Sequence, residues 1–321
     1  MSIVNFKTDA WKESAAAQAY HDATSSAALQ MQILRDRNYR EYFAEFVAPG
    51  KLVLDVGCGS GIIGNGLHDD GYRVVGSDVS PGMLECFEAE KGDRDIELRL
   101  GDAFNLPAEN EEFDAVVSRM FIQHFPNWRD ILREKARVTK MRGIIFFDFA
   151  NAEHLDLEPG VEEPAVGFPY NRDIEDQGRF YAACTTAEMN EAANELGLEV
   201  LSIRPQGLLL YNAHLWNSLK AEGMVELNDA IQAGLQNPDV ADFLALIEQK
   251  AISLMPPATT YGNFVVLRKV AQPRPPKPTK AAKPAAAKKK PGKPAASVPR
   301  RAARKAKRVA KRGAKAVGIS S

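Results

Sequence analysis

Glycines and carboxylates recur along this chain at a spacing that suits the binding of a small polar ligand. The stretch VLDVGCGSG (53–61) carries three alternate glycines and one acid, Asp55. Glycine has no Cβ, so the main chain at such positions can approach a ligand closely. Two more acids follow: Asp78 lies 17 residues after the last of these glycines, and Asp102 lies 24 residues further on. An acid in the place of Asp78 can accept hydrogen bonds from an adenosine ribose.

The elements around these residues alternate between strand and helix. Apolar runs predict seven strands, at 52–56, 72–78, 96–102, 113–118, 143–149, 198–204 and 261–269. Strand–helix alternation through the first five favours an α/β fold, a doubly wound and mostly parallel seven-stranded sheet that binds ligands at the carboxyl edge of its strands. Each candidate acid follows or ends a predicted strand, so we expect the acids to share that edge.

Local signals mark where several helices begin and end. Gly71 suits the left-handed position that follows a helix C-terminus. Ser80 and Pro81 suit the N-cap and the first turn of a helix. Thr185 and Glu188 have the spacing of a capping box.

Two helical segments flank the predicted sheet. Residues 10–48 carry apolar and aromatic residues at helical intervals and are stopped by Pro49-Gly50. A mainly helical insertion at about 211–258 precedes the last strand. Its apolar residues suit either a lid over a small acceptor or packing of the insertion on the sheet.

The charge of the chain is divided between two unlike regions. The 321 residues have a formal net charge of −1, yet 17 of the 41 Lys and Arg, and no Asp or Glu, fall within 273–321. Residues 1–272 contain the other 24 basic residues and all 42 acidic ones, so this region is strongly acidic. The whole-chain charge therefore describes neither region.

Residues 273–321 consist almost entirely of Lys, Arg, Ala and Pro. This composition buries too little apolar area to offset the entropy of ordering, so we predict a disordered tail. A row of cations neutralises phosphates without reading sequence, which makes nucleic acid or another polyanion a predicted partner. The tail resembles those of linker-histone-like proteins in composition; a solubilising extension and association with the acidic region are the alternatives.

Nothing in the sequence predicts a secreted or membrane-spanning protein. No run of 18 apolar residues occurs, and the first residues lack the pattern of a signal peptide. The three cysteines, Cys58, Cys86 and Cys184, are far apart and offer neither a disulfide framework nor metal-ligand spacing. We therefore expect a cytoplasmic protein without a metal, and the tail adds nucleoid association as an alternative.

The glycine stretch and the acids after it resemble the motifs of class I S-adenosylmethionine-dependent methyltransferases, over roughly residues 40–205 and the strand at 261–269. The first motif of that family is a hydrophobic strand followed by D-x-G-x-G-x-G. VLDVGCGSG supplies this pattern through Asp55, Gly57, Gly59 and Gly61. The resemblance implies a Rossmann-like methyltransferase fold and S-adenosyl-L-methionine as cofactor, with the glycine main chain against its methionine part.

The resemblance also implies roles for the other site residues. Asp55 orients the amino group of the cofactor, and Asp78 accepts two hydrogen bonds from the ribose hydroxyls. Asp102 contacts the adenine amino group, and Ala103 presents a main-chain N–H beside it. The residues that the resemblance places against the adenine ring or in the methionine pocket are Val79, Met83 and Arg119.

The same loop allows a competing interpretation. Gly59, Gly61 and Gly64 satisfy the dinucleotide-binding pattern G-x-G-x-x-G. Gly57, however, already occupies the place directly after the strand, and GDAFNLP (101–107) has no role in binding a pyrophosphate. A nicotinamide-dependent oxidoreductase is therefore disfavoured but stays an alternative.

Methyl transfer from a sulfonium is an in-line displacement, for which an enzyme aligns the acceptor and excludes water. A hydroxyl acceptor also needs a general base. His124, in SRMFIQHF, follows the fourth predicted strand and is the candidate catalytic residue, with local packing as its alternative.

The residues after the fourth predicted strand disfavour one class of acceptor. It is not followed by the Asn/Asp-Pro-Pro-aromatic segment that many base-amino methyltransferases use, which argues against a DNA adenine or cytosine N-methyltransferase. We expect methyl transfer to O or N of a small organic acceptor. The alternatives are a methyltransferase acting on nucleic acid or a nucleic-acid-bound protein recruited by the tail, and a non-enzymatic nucleic-acid-binding protein.

These expectations divide the chain into an N-terminal helical cap (1–50), a cofactor-binding domain (51–270) and a tail (271–321). The helical insertion (211–258) belongs to the second of these.

Overall fold

The computed structural model describes residues 30–125, 127–155, 168–169, 180–181, 183–206, 230, 233–260 and 262–272. The chain divides into two units, residues 1–275 and 276–321, and every described residue lies in the first. Three expectations fall partly or wholly outside the described residues: the cap before residue 30, most of the insertion before residue 233, and the basic tail.

The described chain is built on one central sheet. The strands on its main path are β1 (Leu52–Val56), β2 (Arg73–Asp78), β3 (Ile96–Leu100), β4 (Phe113–Ser118), β5 (Thr139–Asn151), β9 (Leu198–Pro205) and β10 (Gly262–Lys269). They lie in the order β3, β2, β1, β4, β5, β10, β9 across the sheet. The expected seven strands are all present, and the doubly wound order confirms the predicted fold class.

Three short strands were not predicted. β8 (Ala183–Cys184) pairs in parallel with the end of β5 and brings the sheet to eight strands, which corrects the expected number of seven. β6 (Phe168–Pro169) and β7 (Phe180–Tyr181) form a separate antiparallel pair. Each of the three contains two residues, too few to show a periodic pattern.

Strand direction brings the candidate site residues to one edge. The strands β3, β2, β1, β4 and β5 run parallel, with Asp55 opposite Gly76 and Ser118 opposite Phe147. β10 runs antiparallel between β5 and β9. The carboxyl ends of the five parallel strands therefore meet at one edge of the sheet, where ligands bind in folds of this kind.

The helices cover both faces of the sheet. They are α1 (Gln30–Ala44), α2 (Ile62–Asp69), α3 (Pro81–Glu90), α4 (Trp128–Val138), α5 (Ala152–Leu155), α6 (Thr186–Glu195) and α7 (Pro238–Ile252). Two 3₁₀ turns add Ile122–His124 and Pro257–Thr259. In the part of the chain that the structure describes, no helix combines the length and the apolar character needed to cross a membrane.

The local signals in the sequence are confirmed. Gly71 adopts the left-handed conformation, with φ of 89°. The Ser80 hydroxyl accepts a hydrogen bond from the main-chain N–H of Met83 and so caps α3. Thr185 and Glu188 form both hydrogen bonds of a capping box at the start of α6.

Two helices end earlier than the sequence predicts. α1 ends at Ala44 instead of residue 48, although the chain still turns before Gly50. α4 ends at Val138 because Thr139 already pairs with Phe113 of β4. β5 is correspondingly longer than predicted, with an irregularity in its pairing before Ile144.

Apolar side chains fill a layer on each face of the sheet. On one face, α1 packs Tyr39 and Phe43 against Phe146 of β5. On the other, α4 buries Ile131 and Leu132 against the same strands. The Tyr39 hydroxyl reaches the sheet edge and donates a hydrogen bond to the main-chain oxygen of Ser118. Helix α1 is thus fixed beside the edge where the parallel strands end.

Candidate active site

The glycine loop (Gly57–Gly61) connects β1 to α2 at the carboxyl edge. Its first glycine and Cys58 both donate main-chain hydrogen bonds to the Ser77 oxygen of β2, at 2.8 and 3.1 Å. Gly61 donates to the Cys58 oxygen at 3.0 Å. These bonds turn the chain sharply between strand and helix and tie the loop to the neighbouring strand.

All three glycines of the loop have positive φ, at 70°, 54° and 89° for Gly57, Gly59 and Gly61. A Cβ at Gly57 would lie 2.2 Å from the Phe121 ring, and one at Gly61 would lie 2.1 Å from the Phe87 ring. At Gly59, no atom of the residues that the structure describes lies within 4 Å of the Cβ position. The missing Cβ at Gly57 and Gly61 therefore makes room for rings of the protein itself, and contact between a ligand and the main chain of these two glycines stays a prediction. Only at Gly59 does bare main chain of this loop face open space.

Asp78, the last residue of β2, holds the open part of the glycine loop. Its Oδ2 accepts the Gly59 N–H at 3.0 Å and its Oδ1 accepts the Ser80 N–H at 2.9 Å. Burial raises the pKa of Asp78, and these hydrogen bonds oppose the rise. Each carboxylate oxygen offers about two lone-pair sites, so the side chain retains the capacity to accept from hydroxyl groups of a ligand.

Asp102 forms the next turn along the same edge. Its Oδ1 accepts the Phe104 N–H at 3.0 Å, and its main-chain oxygen accepts the Asn105 N–H at 2.9 Å. Gly101 donates to the main-chain oxygen of Asp78 at 2.9 Å. The turns that carry Asp78 and Asp102 are therefore hydrogen-bonded neighbours.

Three further residues that the resemblance assigns to the adenine lie in these turns: Val79 and Met83 by their apolar side chains, and Ala103 by its main-chain N–H. Met83 is buried in the first turn of α3, Val79 is half-buried beside Asp78, and Ala103 is buried next to Asp102. The structure thus brings these three residues to the same section of the sheet edge.

Asp55 lies within β1, beneath the glycine loop, and is 2% exposed. Burial raises the pKa of Asp55 to about 7. Lys135 and Arg119 oppose this rise through their positive charges, whereas Asp78 adds to it. The main-chain N–H of Gly64, in α2, also donates to the Asp55 carboxylate.

Arg119, directly after β4, lies among three carboxylates. Its Nη1 is 2.6 Å from Asp36 Oδ1 on α1, with both side chains largely buried. It also interacts electrostatically with Asp148 and Asp55. Asp148, on β5, accepts the main-chain N–H of Met120 at 2.6 Å, and burial raises its pKa. At the predicted place of Arg119 by the site edge, this side chain therefore forms an ion pair with helix α1.

His124 ends the 3₁₀ turn that follows β4, and its main-chain N–H donates to the Phe121 oxygen at 3.0 Å. The rings of Phe121 and Phe125 lie 5.1 Å apart, and those of Phe125 and Phe104 lie 5.6 Å apart. These three rings, which we call the aromatic wall, extend from the glycine loop at Gly57 to the Asp102 turn. The candidate base is thus attached to an apolar boundary of the site.

Several residues of this site escaped the sequence analysis. Lys135 has a signal, because it follows Ile131 by four positions and helical periodicity places it on the buried face of α4. Asp148 also has one, since it is an acid within the apolar run IIFFDF. Asp36 and the aromatic wall have none, because their roles depend on which loops meet at the sheet edge.

The chemistry of the described site fits a cationic nucleoside ligand. Five carboxylates lie at or below the edge: Asp36, Asp55, Asp78, Asp102 and Asp148. The cations that act on this group are Arg35, Arg40, Arg119 and Lys135. A buried site with an excess of carboxylates favours a ligand that carries positive charge. Open main chain at Gly59 provides a surface against which such a ligand can lie.

Comparison with known proteins points in the same direction. Residues 54–147 match the family described as a methyltransferase domain. A demethylmenaquinone methyltransferase from Corynebacterium urealyticum is 37% identical over 97 residues, 30% of this chain and 40% of the relative. A cypemycin N-terminal methyltransferase from a Streptomyces species is 30% identical over 158 residues, 48% of this chain and 59% of the relative. The chain spans about half the length of the curated relatives it matches.

Solved structures share the fold at lower identity. A chain of the complex between the Haloferax volcanii Trm112 methyltransferase activator and a methyltransferase has a TM-score of 0.51 at 19% identity, covering 83% of this chain and 99% of that one. The magnesium protoporphyrin IX methyltransferase of Synechocystis, solved with bound S-adenosylmethionine, has a TM-score of 0.50 at 13% identity, covering 84% and 99%. The chain is therefore similar to the methyltransferase domain family over residues 54–147 and has the fold of these solved methyltransferases.

Proposed function

We propose that this chain is an S-adenosylmethionine-dependent methyltransferase that transfers a methyl group to O or N of a small organic acceptor. The observation that carries the proposal is the glycine loop, whose main chain is open at Gly59 and held there by Asp78. The family match covers this loop and the strands on both sides of it. The excess of carboxylates below the loop suits a sulfonium ligand.

In this proposal, several residues at the sheet edge each bind a different part of the cofactor. Asp55 interacts with its amino group, and the main chain from Gly57 to Gly61 lies along its methionine part. Asp78 accepts hydrogen bonds from the ribose hydroxyls, and Asp102 accepts one from the adenine amino group. The residues that complete the adenine and methionine pockets are Val79, Met83, Ala103 and Arg119.

When bound, S-adenosylmethionine supplies an electrophilic methyl group on a positively charged sulfur. This chain aligns the acceptor and keeps water out, and the aromatic wall suits the second task because its rings are apolar. His124, next to the wall, accepts the proton of a hydroxyl acceptor. We expect His124→Ala to lower kcat while the cofactor affinity stays unchanged.

A calorimetric experiment tests the cofactor assignment. The wild type is titrated with S-adenosylmethionine and with NADH, and Asp78→Asn is titrated in parallel. We expect the wild type to bind only the first ligand and the variant to bind it at least about tenfold more weakly, a loss of about 1.4 kcal/mol. Asp114→Asn is the matched control, because Asp114 lies on β4 and bonds to Leu52 and Lys140 away from the site. Heat with NADH alone would overturn the proposal.

The acceptor is to be found by metabolite profiling with an isotope-labelled methyl donor. The names of the relatives point to varied acceptors, and one of them supports a small acceptor: a ubiquinone biosynthesis O-methyltransferase from Pseudomonas entomophila, 35% identical over 106 residues, 32% of this chain and 45% of the relative. Labelled small molecules in the presence of the enzyme, and none with Asp78→Asn, would support this acceptor class. Label found only in polymer would contradict it.

In a second candidate function, the basic tail binds nucleic acid, which serves either as the methyl acceptor or as a partner. It rests on the 17 Lys and Arg without a single acid at 273–321. Counterion release predicts binding to duplex DNA that weakens steeply as salt rises. Deleting 273–321 abolishes this binding under either function. Transfer to a small acceptor survives the deletion, whereas transfer to a nucleic-acid acceptor falls with it.

A further inference from the structure

The chain leaves β4 through a left-handed turn at Met120. The Ser118–Phe147 pair ends the ladder between β4 and β5, and two residues later Met120 has φ of 48°. A residue with a Cβ rarely adopts this conformation, because the Cβ comes too close to the following carbonyl oxygen. Among the described residues other than glycine, only Glu111, Met120 and Arg142 have positive φ. Glu111 and Arg142 lie near the amino ends of β4 and β5, so of these three only Met120 lies at the edge of the candidate site.

A side chain of the neighbouring strand fixes this turn. Asp148 on β5 is 2% exposed, and its Oδ1 accepts the main-chain N–H of Met120 at 2.6 Å. This hydrogen bond sets the orientation of the peptide group between Arg119 and Met120. Without it the peptide group would be free to rotate, and Met120 would relax to an unstrained conformation. The Asp148 carboxylate therefore stabilises the left-handed turn.

The turn leads directly to the glycine loop through Phe121. The Phe121 ring lies where a Cβ of Gly57 would be, and its centre is 5.1 Å from that of the Phe125 ring. Because φ at Met120 sets the direction in which the chain continues, the left-handed turn determines where this ring lies. Gly57 begins the loop whose open main chain at Gly59 is the proposed contact with the cofactor.

The geometry points to Asp148 as a positioning residue for the cofactor: it accepts the N–H of Met120, keeps the turn left-handed and so keeps the Phe121 ring against the glycine loop. The inference rests on the proposed function, since it concerns the same ligand. Asp148 acts through the main chain of the turn, and no contact between Asp148 and the cofactor is required.

Substitutions of Asp148 separate its acceptor oxygen from its charge. Asp148→Asn keeps an acceptor oxygen, whereas Asp148→Leu has a similar size and no acceptor. The probe is S-adenosylhomocysteine, titrated by calorimetry. If the strained turn is no longer fixed, only a fraction of the molecules is competent to bind, and we expect the Kd of Asp148→Leu to rise about five- to thirtyfold. The Kd of Asp148→Asn should stay much closer to that of the wild type. Equal Kd values for the two variants would overturn the inference.

Substitutions of Met120 test the turn without changing a buried residue, and they decide the question if Asp148→Leu does not fold. Met120 is 46% exposed. Glycine adopts the left-handed conformation readily, whereas a β-branched residue is strongly disfavoured there. Both Met120→Gly and Met120→Val lose the long side chain, so a difference between them reports on the backbone. We expect Met120→Val to bind S-adenosylhomocysteine at least about fivefold more weakly than Met120→Gly. Adding Met120→Gly to Asp148→Leu should restore part of the lost affinity.

Arg142→Gly and Arg142→Val are the matched controls. Arg142 is also exposed and has φ of 66°, but it lies in the first residues of β5, at the opposite edge of the sheet. We expect these two variants to differ in urea midpoint, with valine lower, and to share one Kd. Equal Kd values within the Met120 pair, or an equally large difference within the Arg142 pair, would overturn the inference while leaving the proposed function intact. Absence of binding by the wild type would overturn both.

Discussion

Alanine substitutions at two glycines of one loop should have different effects: one should weaken ligand binding, and the other should reduce the stability of the fold. Gly59 and Gly61 both have positive φ, and they are separated by a single residue. A Cβ at Gly59 meets open space, whereas a Cβ at Gly61 meets the fully buried ring of Phe87 at 2.1 Å. Gly59→Ala should therefore retain the fold and bind the ligand more weakly, whereas Gly61→Ala should be less stable.

The two effects differ in size. A non-glycine residue in the left-handed conformation costs about 1–2 kcal/mol, which is the whole expected loss of unfolding free energy for Gly59→Ala. Gly61→Ala adds the displacement of a buried ring, and overpacking of this kind costs a further 1–3 kcal/mol or so. For cofactor affinity we expect Gly59→Ala to lose at least about tenfold, or 1.4 kcal/mol.

Urea unfolding gives the stability of each variant, and calorimetric titration with S-adenosylmethionine gives its affinity. Both are measured at one temperature on the wild type, Gly59→Ala and Gly61→Ala. Equal unfolding free energies for the two variants would refute the assignment of Gly61 to packing against Phe87. Unchanged affinity in Gly59→Ala would refute the assignment of Gly59 to ligand contact.

Two further predictions concern stability away from the site. Glu111 pairs with buried Lys269 at 3.1 Å, and this contact lowers the pKa of the Glu111 carboxyl. A lowered pKa stabilises the fold above the usual titration range of glutamate and is lost as pH falls through the lowered value. Glu111→Gln should therefore unfold at lower urea than the wild type at pH 7, and the difference between the two should shrink as the pH falls through the lowered pKa of Glu111. Thr185→Ala removes the hydroxyl that accepts the Glu188 N–H and should reduce the unfolding free energy by about 1 kcal/mol in the same assay. An unchanged urea midpoint would contradict that prediction.

The sheet was predictable because its strands are short apolar runs that end at turn-forming residues. VLDV before the glycine loop shows this, and so does the Thr185–Glu188 capping box, whose two hydrogen bonds involve neighbouring residues only. Boundaries were less accurate where an element depends on a distant partner. Thr139 reads as the end of a helix, yet pairing with Phe113 places it in β5.

The site was predictable only as far as the motif extends. Asp55 lies near the end of β1, Asp78 ends β2 and Asp102 follows β3, and parallel pairing brings these strand ends together. The reason for each glycine was not predictable, since Phe87 lies 26 positions after Gly61 in the chain and meets it only in the fold. The pairing of Asp36 with Arg119 likewise requires that α1 pack beside β4. No local sequence pattern predicts that packing.

The position of β10 between β5 and β9 affects how the chain folds during its synthesis. β10 begins about 110 residues after β5 ends, so on a ribosome that adds about 5–20 residues per second β5 waits roughly 5–20 s for this neighbour. During that interval one side of the apolar run IIFFDFA is open to pairing with other chains. A gene shortened within β10 would make that exposure permanent, and its product should aggregate, whereas a stop codon after Gln272 leaves the sheet complete.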